Sequence, residues 1–184
     1  MRINVHFFWT GGVACRTLVG VMKTLWIARL AATMMVGLVV GGAGHLSAQT
    51  GLDYGDHRSE TLMTKAWNAF NAGSFLDASG YASKCIELYK QKALEQQASL
   101  SEPLPSADKE AVFSMWALND VGAALFVRGQ AAEKTGNAAG AKEDYTFLKE
   151  SLPFAQCWDP QGWFWKPADA AAGRLKVLEY EALQ

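Results

Sequence analysis

Four groups of side chains in this 184-residue chain have types and spacings that bear on chemistry: two acids in apolar surroundings, two cysteines, a histidine, and a tryptophan cluster. Asn119 and Asp120 interrupt the apolar stretch Trp116-Ala117-Leu118-Asn119-Asp120-Val121-Gly122, which suits either a polar binding site or a buried hydrogen-bonded pair. Asp159 stands before Pro160 and reads as a turn former. Glu87, Glu143, Asp144 and Glu150 are expected on solvated outer faces. Trp158, Trp163 and Trp165, with Phe164, could make a stacking platform for sugar rings or for a partner's apolar anchor. The other use for these rings is to close the open end of a helical stack. Cys85 and Cys157 either pair, closing a 72-residue loop worth up to about 4 kcal/mol, or remain two buried free thiols. His57 is the only histidine beyond Gln49, and its spacing from the cysteines fits no compact zinc site. Paired-histidine, Gly-rich phosphate-loop and Ser-His-Asp patterns are absent from the sequence, so neither a metal nor a cofactor is expected.

Charge divides the chain in two. All 18 acidic residues lie at or beyond Asp53, whereas Arg2, Arg16, Lys23 and Arg29 precede it. From Gln49 onward 13 basic residues face 18 acidic ones, a net charge of −5 that argues against a nucleic-acid partner. Lys23 and Arg29 precede an uncharged run of 15 residues, Leu30 to Gly44, and small residues follow at Leu46-Ser47-Ala48. This pattern predicts a leader over 1–48, cleaved after Ala48 and with Met22 as a candidate true start, that sends the protein to the periplasm or outside the cell. The run is short for a span of about 20 residues, so a membrane contact would arise only through an uncleaved leader. Cys15 departs with the leader, which leaves an even pair of cysteines.

Residues 49–58 lack periodicity and read as an exposed lead-in to a helical domain over 59–184. A helix is expected from Ser59, with Leu62, Met63, Ala66, Ala69 and Phe70 at helical spacing, to Asn71-Ala72-Gly73-Ser74. A second runs from Phe75 into the nineties, its Lys90 to Gln97 end polar and solvated or lining a concave face with Asn68, Asn71, Asn119 and Arg128. After a connector at 99–107, one unbroken helix is expected to reach Gly136, then another from Ala138 to Ser151. An aromatic segment, 153–167, precedes a last helix that begins at Pro167. The expectation is an all-α domain of about five helices and no strand.

A repeated skeleton underlies these helices. Ala66, Gly73, Ala78 and Ala82 recur with identical spacing as Gly129, Gly136, Ala141 and Tyr145. The pattern Ala66-Trp67-x2-Phe70-x2-Gly73-x-Phe75-x-Asp77-Ala78-x3-Ala82 resembles a tetratricopeptide repeat, and Gly129 to Tyr145 looks like a more degenerate copy. Their offset is 63 residues, whereas tandem copies recur every 34 or so. The Trp116–Gly122 stretch and Ala155-Gln156-Cys157-Trp158-Asp159-Pro160-x-Gly162-Trp163-Phe164-Trp165-Lys166-Pro167-Ala168 resemble a group of short exported bacterial repeat proteins, many labelled "beta-glucanase precursor".

That resemblance implies a helix-turn-helix stack used as a protein–protein interaction or scaffolding module without catalysis, with an unidentified protein or peptide partner. Its label implies the alternative, a carbohydrate-active protein that binds or hydrolyses β-glucan. Glucan hydrolysis needs two facing carboxyl groups, one of them kept protonated, and the sequence alone designates no such pair. The residues singled out for binding are Trp158, Trp163, Trp165, Asn119 and Asp120.

Overall fold

The computed structural model describes residues 51–184; the expected leader, the candidate start at Met22 and the expected cleavage after Ala48 lie outside the described residues. The domain is all-α apart from one small hairpin. Its elements are α1 (Ser59–Asn71), α2 (Phe75–Ala98), α3 (Lys109–Ser114), α4 (Trp116–Lys134), α5 (Ala138–Ser151), β1 (Cys157–Asp159), β2 (Trp163–Trp165) and α6 (Pro167–Glu181).

Helices α1 and α2 end and restart through the same turn as α4 and α5. Gly73 and Gly136 both sit at φ 79°, in the left-handed region that ends a helix without a Cβ penalty. Around them the backbone bonds correspond: Ser74 N–H donates to the Ala69 carbonyl at 2.9 Å, and Asn137 N–H to the Ala132 carbonyl at 2.8 Å. Asn137 also caps α5 by accepting from Gly140 N–H.

Helix α4 is central. It packs on α1, α2, α5 and α6, most extensively on α2, and is buried around nearly its whole circumference from Ala117 to Val127. Leu118, Val121 and Leu125 of α4 meet Leu62 and Ala66 of α1, Ala82 and Cys85 of α2, and Tyr145 and Leu148 of α5 in one continuous core. Close approach is enforced at Gly122, where an added Cβ would stand 2.7 Å from that of Ala155, and at Gly129, where it would stand 2.5 Å from the Tyr145 ring.

The long helix expected to run unbroken to Gly136 is two helices, divided at Met115. The break is held by side chains from elsewhere. Gln96 of α2 donates to the Ser114 carbonyl at 3.3 Å and accepts from Leu118 N–H at 2.9 Å, while Asn119 Nδ2 donates to the Val112 carbonyl at 2.7 Å. These bonds satisfy backbone groups that a helix break orphans. Gln97 likewise accepts from Phe154 N–H at 3.0 Å. The polar end of α2 is therefore a set of brackets as well as a solvated surface.

The aromatic segment, expected to be irregular, contains an antiparallel hairpin that pairs Cys157 with Trp165, Trp158 with Phe164 and Asp159 with Trp163. Asp159 makes the turn as expected, accepting Gln161 N–H on its side chain at 2.8 Å and Gly162 N–H on its carbonyl at 2.9 Å.

Residues 51–58 are mostly exposed yet attached. Leu52 lies against Gly80, Tyr54 meets Tyr81 edge-on at 5.9 Å, and Lys65 reaches both the carbonyl and the carboxylate of Asp53. Among the described residues no helix is long and apolar enough to cross a membrane.

Candidate functional site

Two surfaces deserve a functional reading, a cleft at the start of α1 and the aromatic hairpin. The cleft, of about 380 Å³, is lined by Arg58, Ser59, Glu60, Tyr89, Trp116 and Asp120. Next in the chain to the lining residue Arg58 is His57, a non-glycine residue at φ 61°, a conformation that costs energy and that persists where neighbours enforce it. The Tyr89 hydroxyl donates to the His57 carbonyl at 2.8 Å. That bond fixes the Tyr89 ring, and Trp116 meets it at 5.4 Å and 82°, so the two rings form a right-angled corner.

Asp120 lines the same cleft and is only partly exposed. Burial raises its carboxyl above the ordinary carboxylate value, a hydrogen bond from the Ser59 side chain lowers it, and the charge of Glu60 raises it further, for a net upward shift. No salt bridge reaches it among the described residues. Glu60 is different: exposed, it lies 3.7 Å from the equally exposed Arg58.

Behind Asp120 lie both cysteines. The bond weighed for Cys85 and Cys157 is not formed: both are free thiols. Cys157 Sγ instead donates to the Asn119 carbonyl at 3.3 Å. Burial pushes the Cys85 thiol up to about 12, and burial likewise raises Cys157, each helped by the Asp120 charge. Both stay protonated and poorly nucleophilic at neutral pH.

Asn119 belongs to the framework and not to a binding surface. It is buried, and besides its bond to Val112 it accepts Gln156 N–H on Oδ1 at 2.9 Å, so both ends of its amide are used internally. Adjacent positions on a helix point about 100° apart, and Asp120 accordingly looks into the cleft while Asn119 looks toward the hairpin.

The three tryptophans do not form one platform. Strand residues alternate between faces, so Trp158 and Phe164 share one face while Cys157 and Trp165 share the other. Trp165 turns inward onto Phe126 of α4 at 5.4 Å, a capping role. Trp158 and Phe164 turn outward and pack with Phe113 of α3 at 6.2 and 5.4 Å. Lys109 lies 4.3 Å over the Trp158 ring. Trp163, at the hairpin tip, is 50% exposed, as is Phe113 at 51%.

Among the acids expected on outer faces, Glu87, Glu143 and Glu150 are exposed, but Asp144 is buried. It receives two bonds from Arg128, at 2.6 and 2.8 Å, and Arg128 also donates to Ser83 of α2 at 3.3 Å. Arg128, expected to line a concave face, thereby ties α2, α4 and α5 together. No three His, Cys, Asp or Glu side chains among the described residues are grouped to hold a metal ion.

The sequence points to Asp120, Trp158 and Trp163, and the structure adds Arg58, Ser59, Tyr89 and Trp116 as neighbours of Asp120. These come from three separate helices and their flanks, and no local spacing relates them. No family model matches the chain, and no curated protein or solved structure matches it either.

Proposed function

We propose that the domain is an exported, tetratricopeptide-like interaction module that holds a protein or peptide partner and performs no chemistry of its own. The observation that carries this reading is a set of exposed rings, Phe113 and Trp158 together on the outward face of the hairpin and Trp163 separately at its tip, on a hairpin that Trp165 and Asn119 anchor to the central helix. Rigid, partly exposed aromatic side chains are the usual anchors of protein interfaces. The matched turns at Gly73 and Gly136 support the repeat-like description, and the leader pattern supports export.

A screen of peptides against the full-length chain, followed by calorimetry on the best ligand, tests this. Trp163→Ala and Phe113→Ala should each weaken binding about tenfold or more, the loss expected of an aromatic anchor. Binding indifferent to both substitutions, or no peptide preferred over its scrambled version, would remove the reading's support.

A second reading rests on the cleft. It holds two carboxyl groups, Asp120 with a raised affinity for its proton and Glu60 at the exposed rim, beside Trp116 and Tyr89. Such a set is the minimum for a β-glucan-binding or hydrolysing site. Release of reducing sugar from soluble β-glucan, abolished by Asp120→Asn in a folded protein, would establish it in place of the first.

A further inference from the structure

We infer that the cleft at the start of α1 is a receptor for one organic cation, the ammonium or guanidinium of a basic side chain on the partner. The inference deepens the interaction-module reading and rests on it for the source of that cation.

The argument begins with how this molecule treats its own aromatic rings. Lys65 lies over Tyr81 at 5.8 Å while bonding the Asp53 carboxylate at 2.9 Å, so ring, ammonium and carboxylate form a completed set. Lys84 over Tyr54, Lys90 over Phe147 and Lys109 over Trp158 are further ring–ammonium pairs. The corner of Trp116 and Tyr89 with Asp120 has the ring and the carboxylate, but among the described residues no lysine or arginine stands over either ring. The cleft has room for a side-chain head. A cation there gains from the ring faces and from a carboxylate that is partly desolvated and unmatched, and both attractions strengthen as water is excluded.

Charge decides between a cation and a sugar. Arg58 and Glu60 answer one another at the rim, which leaves Asp120 as the uncompensated charge. The region from Gln49 onward carries a net −5 and favours a basic partner. A sugar would need several donors and acceptors converging on its hydroxyls, and the lining offers Ser59 and the already bonded Tyr89 hydroxyl beside its charged groups.

The test is a titration of the 15N-labelled full-length chain, reading the Trp116 indole and Asp120 amide resonances. The probes are Nα-acetyl-lysine methylamide, tetramethylammonium, the neutral Nα-acetyl-norleucine methylamide, and cellobiose. The two cations should shift both resonances saturably in the millimolar range, and the neutral probes should not. Asp120→Asn should weaken the cations at least about tenfold and Trp116→Leu about threefold, whereas Arg58→Gln should tighten them about twofold. If Asp120→Asn does not fold, Trp116→Leu and Arg58→Gln decide.

Equal shifts from the norleucine probe, binding of cellobiose alone, or cation binding indifferent to these substitutions would overturn the inference. Peptide capture that depends on Trp163 without any cation binding would overturn it while leaving the interaction-module reading intact. Cation binding without any peptide capture would overturn the assignment of that cation to a partner's side chain.

Discussion

The hairpin α1–α2 and the hairpin α4–α5 share a turn and differ almost everywhere else. The first carries Ala66 and Ala82, both fully buried, where the second, at the same positions 63 residues on, brings Gly129 against Tyr145. A methyl group lost from one helix and a phenol gained on the other preserve the fit. One residue earlier on each helix, Lys65 and Tyr81 of the first hairpin correspond to Arg128 and Asp144 of the second. Lys65 lies over the ring with its ammonium near the surface, whereas Arg128 and Asp144 form a largely buried ion pair, with Asp144 6% exposed. The position of each hairpin explains this. The first lies at an edge of the domain, while the second is covered on one side by α2 and on the other by α6. A polar group in the second hairpin must therefore find its partner within the protein. Tyr145 does so as well, donating to Glu133 at 2.5 Å, and Glu133 is bonded in turn by Arg174 of α6. Shared geometry is confined to the turn and the contact point, and burial sets the chemistry between them.

The largest break in this comparison should come from Arg128→Met. Removing one member of a buried pair leaves the other charge uncompensated, at a cost of about 3 kcal/mol after allowance for the partial exposure of Arg128. Urea denaturation should show that loss, and the double change Arg128→Met with Asp144→Leu should recover most of it, because an apolar pair of similar volume avoids the buried charge. The corresponding Lys65→Met in the first hairpin should leave the urea midpoint nearly unchanged, since it removes a surface contact. Similar losses at the two positions would contradict the role assigned to burial.

Gly129→Ala should cost about 2 kcal/mol, because its Cβ meets the Tyr145 ring in a packed core. Placed in a Tyr145→Ala background, which restores the alanine pair of the first hairpin, the same Gly129→Ala should be neutral or stabilising. A double-mutant cycle reads the coupling directly, and independent effects would show that the two sites do not compensate.

Gly73→Ala and Gly136→Ala should each cost about 1 kcal/mol, since both residues hold φ 79° with open space around them. Thermal unfolding should give nearly equal losses, and this equality sharpens the claim that the turn is the shared unit.

What could be read in the sequence follows the same division. Small residues at fixed offsets around Gly73 and Gly136 carry local information, and they gave the all-α class and both hairpins. Asp144, expected on an outer face by its acidic type, lies between Ala141 and Tyr145 on the inward stripe of α5, where its spacing and not its type marks the burial. The break at Met115 had no local signal, because the groups that permit it belong to Gln96, about twenty residues earlier, and to Asn119. The hairpin escaped notice because three-residue strands are too short to display a period of two, although its Asp159 turn was legible. Asp120 was identifiable as a polar interruption in an apolar run. The cleft around it exists only after α1, α2 and α4 have packed.

Acid titration separates most finely the side of α4 that meets the first hairpin from the side that meets α5 and α6. Burial raises Glu133 in the second hairpin, but bonds from Arg174 and Tyr145 outweigh it and leave its pKa lowered on folding. Its stabilisation is therefore present above the unfolded value near 4.5 and is lost as pH falls through the folded value. Asp120, on the same helix α4 but turned toward α1 and α2, behaves oppositely. With Ser59 and Glu60 of α1, Cys85 of α2, Cys157 of β1 and Arg58 and Tyr89 around it, burial raises its pKa above the unfolded value near 3.8. The folded protein holds that proton more tightly, so the Asp120 contribution is most favourable below 3.8 and declines as pH rises through the folded value. Asp120→Asn should thus match the native protein in stability near pH 3.5 and exceed it modestly at pH 7, by a few degrees in Tm, while Glu133→Gln should lose stability at pH 7 and converge with the native protein in acid. Parallel pH profiles for the two variants would mean that Asp120 is not held in the cleft as an uncompensated charge.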